Sequence, residues 1–284
     1  MPSLKEVKNR IASVQSTRKI TSAMKMVASS KLHHAQQRIE QMRPYEQQLG
    51  RIFRAFVSDA SDYVPYVTPR PVSRVALLLF TSNSSLCGGF NNNAIKLFSA
   101  KVAELRRQGV EILQVYAIGR KGLDAVRRMG FTVEDTYCDY LDHPNYDGAR
   151  QLAERLMASY DAKEIDVCYM IYHHAQSSAH QVLRYEQYLP LNLPQEAEQG
   201  DSNYIVEPSS EVIFSRLLPR VITLSLFAAL LDSLASEHAA RVVAMQIATD
   251  NADELLRSLQ LQYNKSRQSA ITAELLDIVG GSMQ

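Results

Sequence analysis

The chain has 284 residues, 46% of them hydrophobic and 21% charged, with a net charge of +1. That composition describes a folded globular protein of one large domain or two ordinary ones, and it excludes a disordered chain. Three cysteines at unrelated spacings (Cys87, Cys138, Cys168) exclude a disulfide framework and a zinc cluster, and the pairs His33-His34 and His173-His174 lack metal-ligand spacing.

The first predicted element is a long helix over about Ser3–Ser58, interrupted only by Pro44. Its apolar positions Leu4, Val7, Ile11 and Val14, then Ile20, Met24 and Val27, then Leu32, Ala35, Ile39 and Met42 recur at helical steps. Between Val14 and Ile20 the phase slips, so the stripe is expected to wind round the helix. Ser3 is a plausible N-cap with Glu6 three residues on. Pro44 is expected to kink the helix or mark a change of partner. Residues 1–43 carry nine Lys/Arg (Lys5, Lys8, Arg10, Arg18, Lys19, Lys25, Lys31, Arg38, Arg43) against Glu6 and Glu40. This local +7 leaves −6 for the rest of the chain. Either the helix has a solvated basic face or it meets an acidic partner.

Tyr63–Pro71, with three prolines, reads as a linker. An α/β pattern follows: a buried strand at Val75–Phe80, a helix from Asn93 to Arg107, a strand at Glu111–Ile118, and a helix at Lys121–Met129. A brief strand at Phe131–Val133, a helix at Asp147–Tyr160 and a strand at Ile165–Tyr172 complete it. Such alternation predicts a mainly parallel sheet. Gln181–Leu189 alternates less cleanly and is placed at a sheet edge, residues 190–203 form a loop, and Tyr204–Val206 is a candidate last strand. Apolar runs such as Val75–Phe80 fall far short of a bilayer span, and the N-terminus has no apolar signal region, so a cytoplasmic protein is expected.

The last element is a helix from about Ser209 to Val279, on the order of 100 Å if unbroken. It keeps a steady 3.5-residue grid: Leu217, Val221, Leu224, Ala228, Leu231, Ala235, His238, Val242, Met245, Thr249, Ala252, Leu256, Leu259, Tyr263, Ser266, Ala270 and Ala273. That period means a left-handed coiled coil, and the natural partner is the N-terminal helix, antiparallel. The expected fold is therefore α/β: a Rossmann-like, mainly parallel sheet domain at 72–207, plus a long antiparallel coiled coil of 1–58 with 209–284. Toward Ser266 the grid turns small and polar, so the tip is expected to be held by another subunit.

Few motifs suggest chemistry. Ser82–Asn91 (SNSSLCGGFN) lies between a strand and a helix, where phosphate could bind, but it is neither dinucleotide fingerprint nor P-loop. A tight turn at Gly88-Gly89 is the favoured reading. Gly119-Arg120-Lys121-Gly122 is a weaker lookalike, and Cys87 reads as a buried structural thiol. No catalytic residues, cofactor site or metal site are expected. Tyr263–Gln268 is a dense polar cluster, in which Arg267 and Gln268 offer donors suited to a partner's carboxylates or carbonyls.

Several segments resemble the gamma-subunit family of the F-type ATP synthase: IASVQSTRKITSAMKMVASSK at 11–31, Arg43-Pro44-Tyr45, LCGGFN at 86–91, and ATDNA at 248–252. Tyr263-Asn264-Lys265, Arg267-Gln268, and ITAEL at 271–275 running on to Gly281 are the most specific. Ser84 and Ser85, Val242 and Ser282 depart from the family pattern. The resemblance implies the central rotor shaft of a rotary, proton-translocating ATP synthase, without a cofactor or catalytic role of its own. It implies alpha and beta subunits (a hexamer of three each), an epsilon subunit and a membrane c-ring as partners, with the chain peripheral on the cytoplasmic face of the bacterial plasma membrane. By position it assigns Arg18, Lys19, Met24 and Lys25 to acidic lever loops of beta, and Arg267 and Gln268 to another beta loop. Tyr204 and Glu207 are assigned to the region near the ring and epsilon. The alternative is a nucleotide-dependent α/β enzyme with helical dimerisation arms. A nucleic-acid-binding coiled coil rests only on the basic first helix.

Overall fold

The computed structural model describes residues 3–57, 66–133, 136–176, 180–191, Glu207 and 210–281. In chain order the elements are α1 (Leu4–Val57), β1 (Arg74–Phe80), α2 (Phe90–Arg107), β2 (Glu111–Ile118) and α3 (Arg120–Arg128). After a 3-10 turn at Thr136–Cys138 come α4 (Asp139–Asp142), α5 (Tyr146–Asp161), β3 (Val167–Ala175), β4 (Gln181–Leu189) and α6 (Ser210–Gly281). Two compact units result: Met1–Ser29 with Arg241–Gln284, and Ser30–Ala240.

The second unit is built on a sheet of order β2-β1-β3-β4, with β1 parallel to β2 and β3, and β4 antiparallel at the edge. Gln181–Leu189 is thus the edge strand its weak alternation predicted. The apolar run of β1 is explained by cover on both faces. Ala76, Leu78 and Phe80 face Leu152, Leu156 and Tyr160 of α5 and Leu218, Ile222 and Leu226 of α6. Val75, Leu77 and Leu79 face Ala94, Phe98 and Val102 of α2 and Leu123 and Val126 of α3. Asp166 staples the start of the sheet, accepting from Ser73 N at 3.0 Å and Arg74 N at 2.8 Å. Leu32 and Ala35 of α1 pack on Ala235 and Ala239 of α6, where small side chains permit close approach.

The first unit is a helix pair. Ser3 caps α1, accepting from Glu6 N at 3.2 Å. Thr21 Oγ1 meets Thr249 Oγ1 at 2.9 Å and Arg18 Nε meets Asp253 Oδ1 at 2.9 Å, and Lys25 Nζ donates to Gln246 Oε1. As the α1 number rises the α6 number falls, so the helices run antiparallel. Continuing that register sets Val14 against Leu256, Ile11 against Leu259, Val7 against Tyr263, and Leu4 against Ser266. All eight of these residues are buried or half-buried, as the 3.5-residue grid of α6 required.

Three expectations change. The stripe of α1 does not slip: Val14 is followed on the seam by Arg18, Thr21, Lys25 and Ala28, while Ile20 and Val27 stand 60% and 59% exposed. Helical phase, set by the steps of three and four from Leu4 to Val14, outranks the apolarity of individual residues. Phe131–Val133 is not a strand, because Phe131 instead packs edge-on against Phe98 of α2. Pro44 lies within α1 and Pro219 within α6, neither ending its helix. Finally, part of α6 is apolar enough in composition to cross a membrane, though 56% of that stretch is buried within the protein, as in a core helix. The candidate strand Tyr204–Val206 lies outside the described residues.

Candidate functional site

The residues singled out on α1 divide by heptad position. Arg18 and Lys25 sit on the seam and are held by α6, Arg18 through an ion pair whose side chains are 50% and 42% exposed. Lys19 is exposed and Met24 is half-buried. The other cations of this part of α1, Lys5, Lys8 and Arg10, are exposed too. On the outer surface Ile20, Met26 and Val27 of α1 and Val243 and Ile247 of α6 expose apolar side chains. Sequence reasoning missed Thr21, and it missed Gln246 and Asp253, the α6 partners of Lys25 and Arg18. The signal was the unbroken three-four spacing through 14, 18, 21, 25 and 28, obscured by the polar identity of the middle three.

On α6, Arg267 and Gln268 are exposed just beyond Ser266, which the register sets against Leu4. The helix continues to Gly281 past the start of α1, and Ile271, Leu275, Leu276 and Ile278 of this end are exposed. Four large apolar side chains on the last turns of a helix, beside exposed polar donors, form a surface that another chain can cover. Glu207 is exposed, and Tyr204 lies outside the described residues.

In the second unit, the crevice where open α/β sheets bind ligands lies at the carboxyl ends of β1 and β3, where the chain's crossovers diverge. Here the protein's own side chains fill it. Phe90, first residue of α2, stacks on His173 of β3 with ring centroids 4.2 Å apart. Asn91 ties the turn together, accepting from Ser82 N at 2.9 Å and donating to Ser82 Oγ at 2.7 Å and Cys87 Sγ at 3.2 Å. Asn83 Oδ1 accepts from the backbone N of Arg120 at 3.0 Å, and its Nδ2 donates to the carbonyl of Cys138 and the carboxylate of Asp142. The first amide of α3, a potential phosphate donor, is therefore engaged. Gly119 has φ of 113°, and a Cβ there would lie 2.2 Å from the carbonyl oxygen of Thr81. The ends of β1 and β2 thus meet backbone to backbone at this point. Burial lowers the pKa of His173 from 6.5 to about 4, so the ring is neutral, and among the described residues its Nδ1 has no hydrogen-bond partner.

A cleft of about 630 Å³ opens between residues 36–46 of α1, β3, β4 and α6. Its walls carry Glu40, Glu46, Glu186 and Asp232 against Arg43, Arg184 and His174. Four of these groups engage one another: Asp232 takes His174 Nδ1 at 2.5 Å and Ala175 N at 2.8 Å, and Glu186 takes Tyr172 Oη at 2.8 Å and Arg184 Nη1 at 3.0 Å. Carboxylates outnumber cations, the reverse of what a polyphosphate needs. Among the described residues no three of His, Cys, Asp and Glu are grouped to hold a metal.

Comparison with known proteins is consistent along the whole chain. A family model described as ATP synthase matches residues 3–283. An ATP synthase gamma chain from Phocaeicola vulgatus is 52% identical, covering 100% of both chains, and one from Bacteroides thetaiotaomicron is 51% identical with the same coverage. Among solved structures, a chain of the Euglena gracilis mitochondrial ATP synthase has a TM-score of 0.66 at 19% identity, covering 99% of this chain and 93% of that one. A chain of the Tetrahymena thermophila mitochondrial central stalk and c-ring has a TM-score of 0.56 at 24% identity, covering 81% and 99% respectively. At those identities the structural likenesses speak to the fold.

Proposed function

This chain belongs to the ATP synthase gamma-chain family, and from that premise we propose that it is the central rotor shaft of a rotary proton-translocating ATP synthase. It couples ion flow through the membrane ring to conformational change in a catalytic hexamer of alpha and beta subunits. The observation that carries this reading is the match over residues 3–283 together with relatives half identical from end to end. In this role 72–207 is the base, and 1–58 with 209–284 is the shaft.

The physics of the role is linkage. A shaft whose faces differ presents a different surface to each of three otherwise equivalent catalytic subunits. Its orientation then biases each site toward a different conformation, and nucleotide binding at the sites biases the orientation by the same free energy. The helix pair has such faces, with exposed Lys5, Lys8, Arg10 and Lys19 on α1 and apolar Ile20, Met26 and Val27 among them. We assign Lys19 and Met24 to acidic loops of beta, with Arg18 and Lys25 reaching those loops past the α6 groups that hold them. Arg267 and Gln268 are assigned to a beta loop further along α6, and the exposed apolar end beyond them to the same hexamer. Tyr204 and Glu207 are assigned to the ring and the epsilon subunit.

The chain is non-catalytic in this proposal, and the filled crevice at Phe90 and His173 supports that. A peripheral position on the cytoplasmic face of the bacterial plasma membrane follows from the partners. Two measurements test the role. The chain should co-purify with an alpha–beta hexamer, and the purified chain alone should neither turn over ATP nor bind ATP or NAD in a titration. Saturable turnover by the chain alone, or failure to associate with the hexamer, would overturn it.

A further inference from the structure

We propose that Arg18, Thr21 and Lys25 are a pairing code, selecting α6 as the partner of α1 and rejecting a second copy of α1. These are three consecutive seam layers without a large apolar side chain on α1, bounded by Val14 on one side and buried Ala28 on the other. Each is answered by a different group on α6: a carboxylate for Arg18 (Asp253, 2.9 Å), a hydroxyl for Thr21 (Thr249, 2.9 Å) and an amide oxygen for Lys25 (Gln246).

Stability does not explain the choice. A half-exposed ion pair contributes little, and a polar residue at a seam position lowers coiled-coil stability while specifying its partner and register. The threonines illustrate this: Thr21 Oγ1 lies 3.0 Å from the Arg18 carbonyl, Thr249 Oγ1 lies 2.8 Å from the Met245 carbonyl, and the hydroxyls meet each other. Two protons serve three contacts, so the layer is no stronger than an apolar one would be.

Selection does explain it. Between Glu6 and Glu40, α1 carries no carboxylate. A second α1 therefore offers Arg18 no carboxylate: parallel pairing stacks Arg18 on Arg18 and Lys25 on Lys25, and antiparallel pairing centred on Thr21 sets Arg18 against Lys25. Like charges and undersatisfied polar groups against the wrong partner are how specific helix pairs exclude it. The hazard is real, because Thr21 and Thr249 are 228 residues apart. During synthesis the apolar seam of α1 is complete long before α6 exists, and neighbouring nascent copies expose the same seam. The inference goes beyond the rotor role, which requires a helix pair but does not say how one forms.

The test uses the full-length chain with a reporter thiol, Ala28→Cys, in native and Arg18→Leu/Thr21→Leu/Lys25→Leu backgrounds. With the native code, sedimentation should give one copy, and mild oxidation should produce no disulfide between the reporter thiols of separate chains. With the leucines, mass should rise with concentration and the inter-chain disulfide should form. A leucine variant that stays single-copy without the disulfide overturns the proposal. Because that variant could also misfold, a charge exchange supplies a second readout. Arg18→Asp and Asp253→Arg should each raise proteolytic cleavage within residues 10–29 about tenfold, and the double exchange should restore native protection. No restoration overturns the code.

Discussion

At the residue scale, buried groups at the mouth of the sheet determine behaviour that the surface does not. His173 is buried, stacked on Phe90 and neutral, with a pKa of about 4 against 6.5 in an unfolded chain. Below pH 6.5 the unfolded chain binds a proton that the folded chain refuses, so stability falls as the pH drops from 6.5 and levels off below about 4. At pH 4.5 the loss attributable to this one ring is about 2–3 kcal/mol. His173→Phe keeps an aromatic ring against Phe90 and removes the titration. Urea unfolding at pH 7 and 4.5 should show a smaller acid loss in the variant, and equal losses would assign the acid limb to other groups. Gly119 carries a steric constraint instead. Its positive φ and the 2.2 Å approach to Thr81 O leave no space for a Cβ, so Gly119→Ala should cost roughly 3 kcal/mol or more in denaturant.

At the element scale, seam position decides what a residue contributes. Leu256 is buried opposite Val14, whereas Leu261, five residues on, is 73% exposed. Leu256→Ala should cost about 2–3 kcal/mol, with Leu261→Ala within about 0.5 kcal/mol of native. Hydrogen exchange of amides 241–266 reads the local stability of the pair, and equal effects would mean that the register drawn from Thr21 and Thr249 is wrong. The same contrast shows what the sequence could reveal. The strands β1, β2 and β4 and both terminal helices were legible because each satisfies one rule along its length: full burial, alternation, or a steady grid. The α1 seam was not, because three of its residues are polar and the apolar Ile20 and Val27 stand nearby at a plausible helical spacing. An apolarity pattern read from one helix cannot detect that Arg18 is answered by Asp253. The short turn at Thr136–Cys138 and α4 were likewise missed, being too brief for any period to register. The closure of the crevice was foreshadowed only by glycines that fit no phosphate-binding pattern. Which side chains fill it, Phe90 from one element and His173 from another, is a tertiary fact.

At the scale of the whole molecule, the chain leaves surface that its own elements do not cover. A net charge of +1 conceals +7 in residues 1–43, and the last turns of α6 expose Ile271, Leu275, Leu276 and Ile278. Those turns lie past Ser266, which already faces Leu4 at the start of α1, so no seam layer remains to hold them. Isolated helix ends without tertiary cover fray with little free-energy cost. Amides of residues 270–281 should therefore exchange rapidly in the free chain, while those of 245–259 exchange slowly. Removing residues 270–284 should leave the unfolding midpoint of the helix pair within about 1 °C of native, since no paired layer is lost. In the assembled complex the same amides should become protected if this end is seated in the alpha–beta hexamer. Rapid exchange there as well as in the free chain would mean that the hexamer does not cover the end, and the contacts assigned to Arg267 and Gln268 would have to be sought elsewhere. Strong protection already in the free chain would mean that α6 finds cover within its own molecule, and that the exposed leucines belong to no interface.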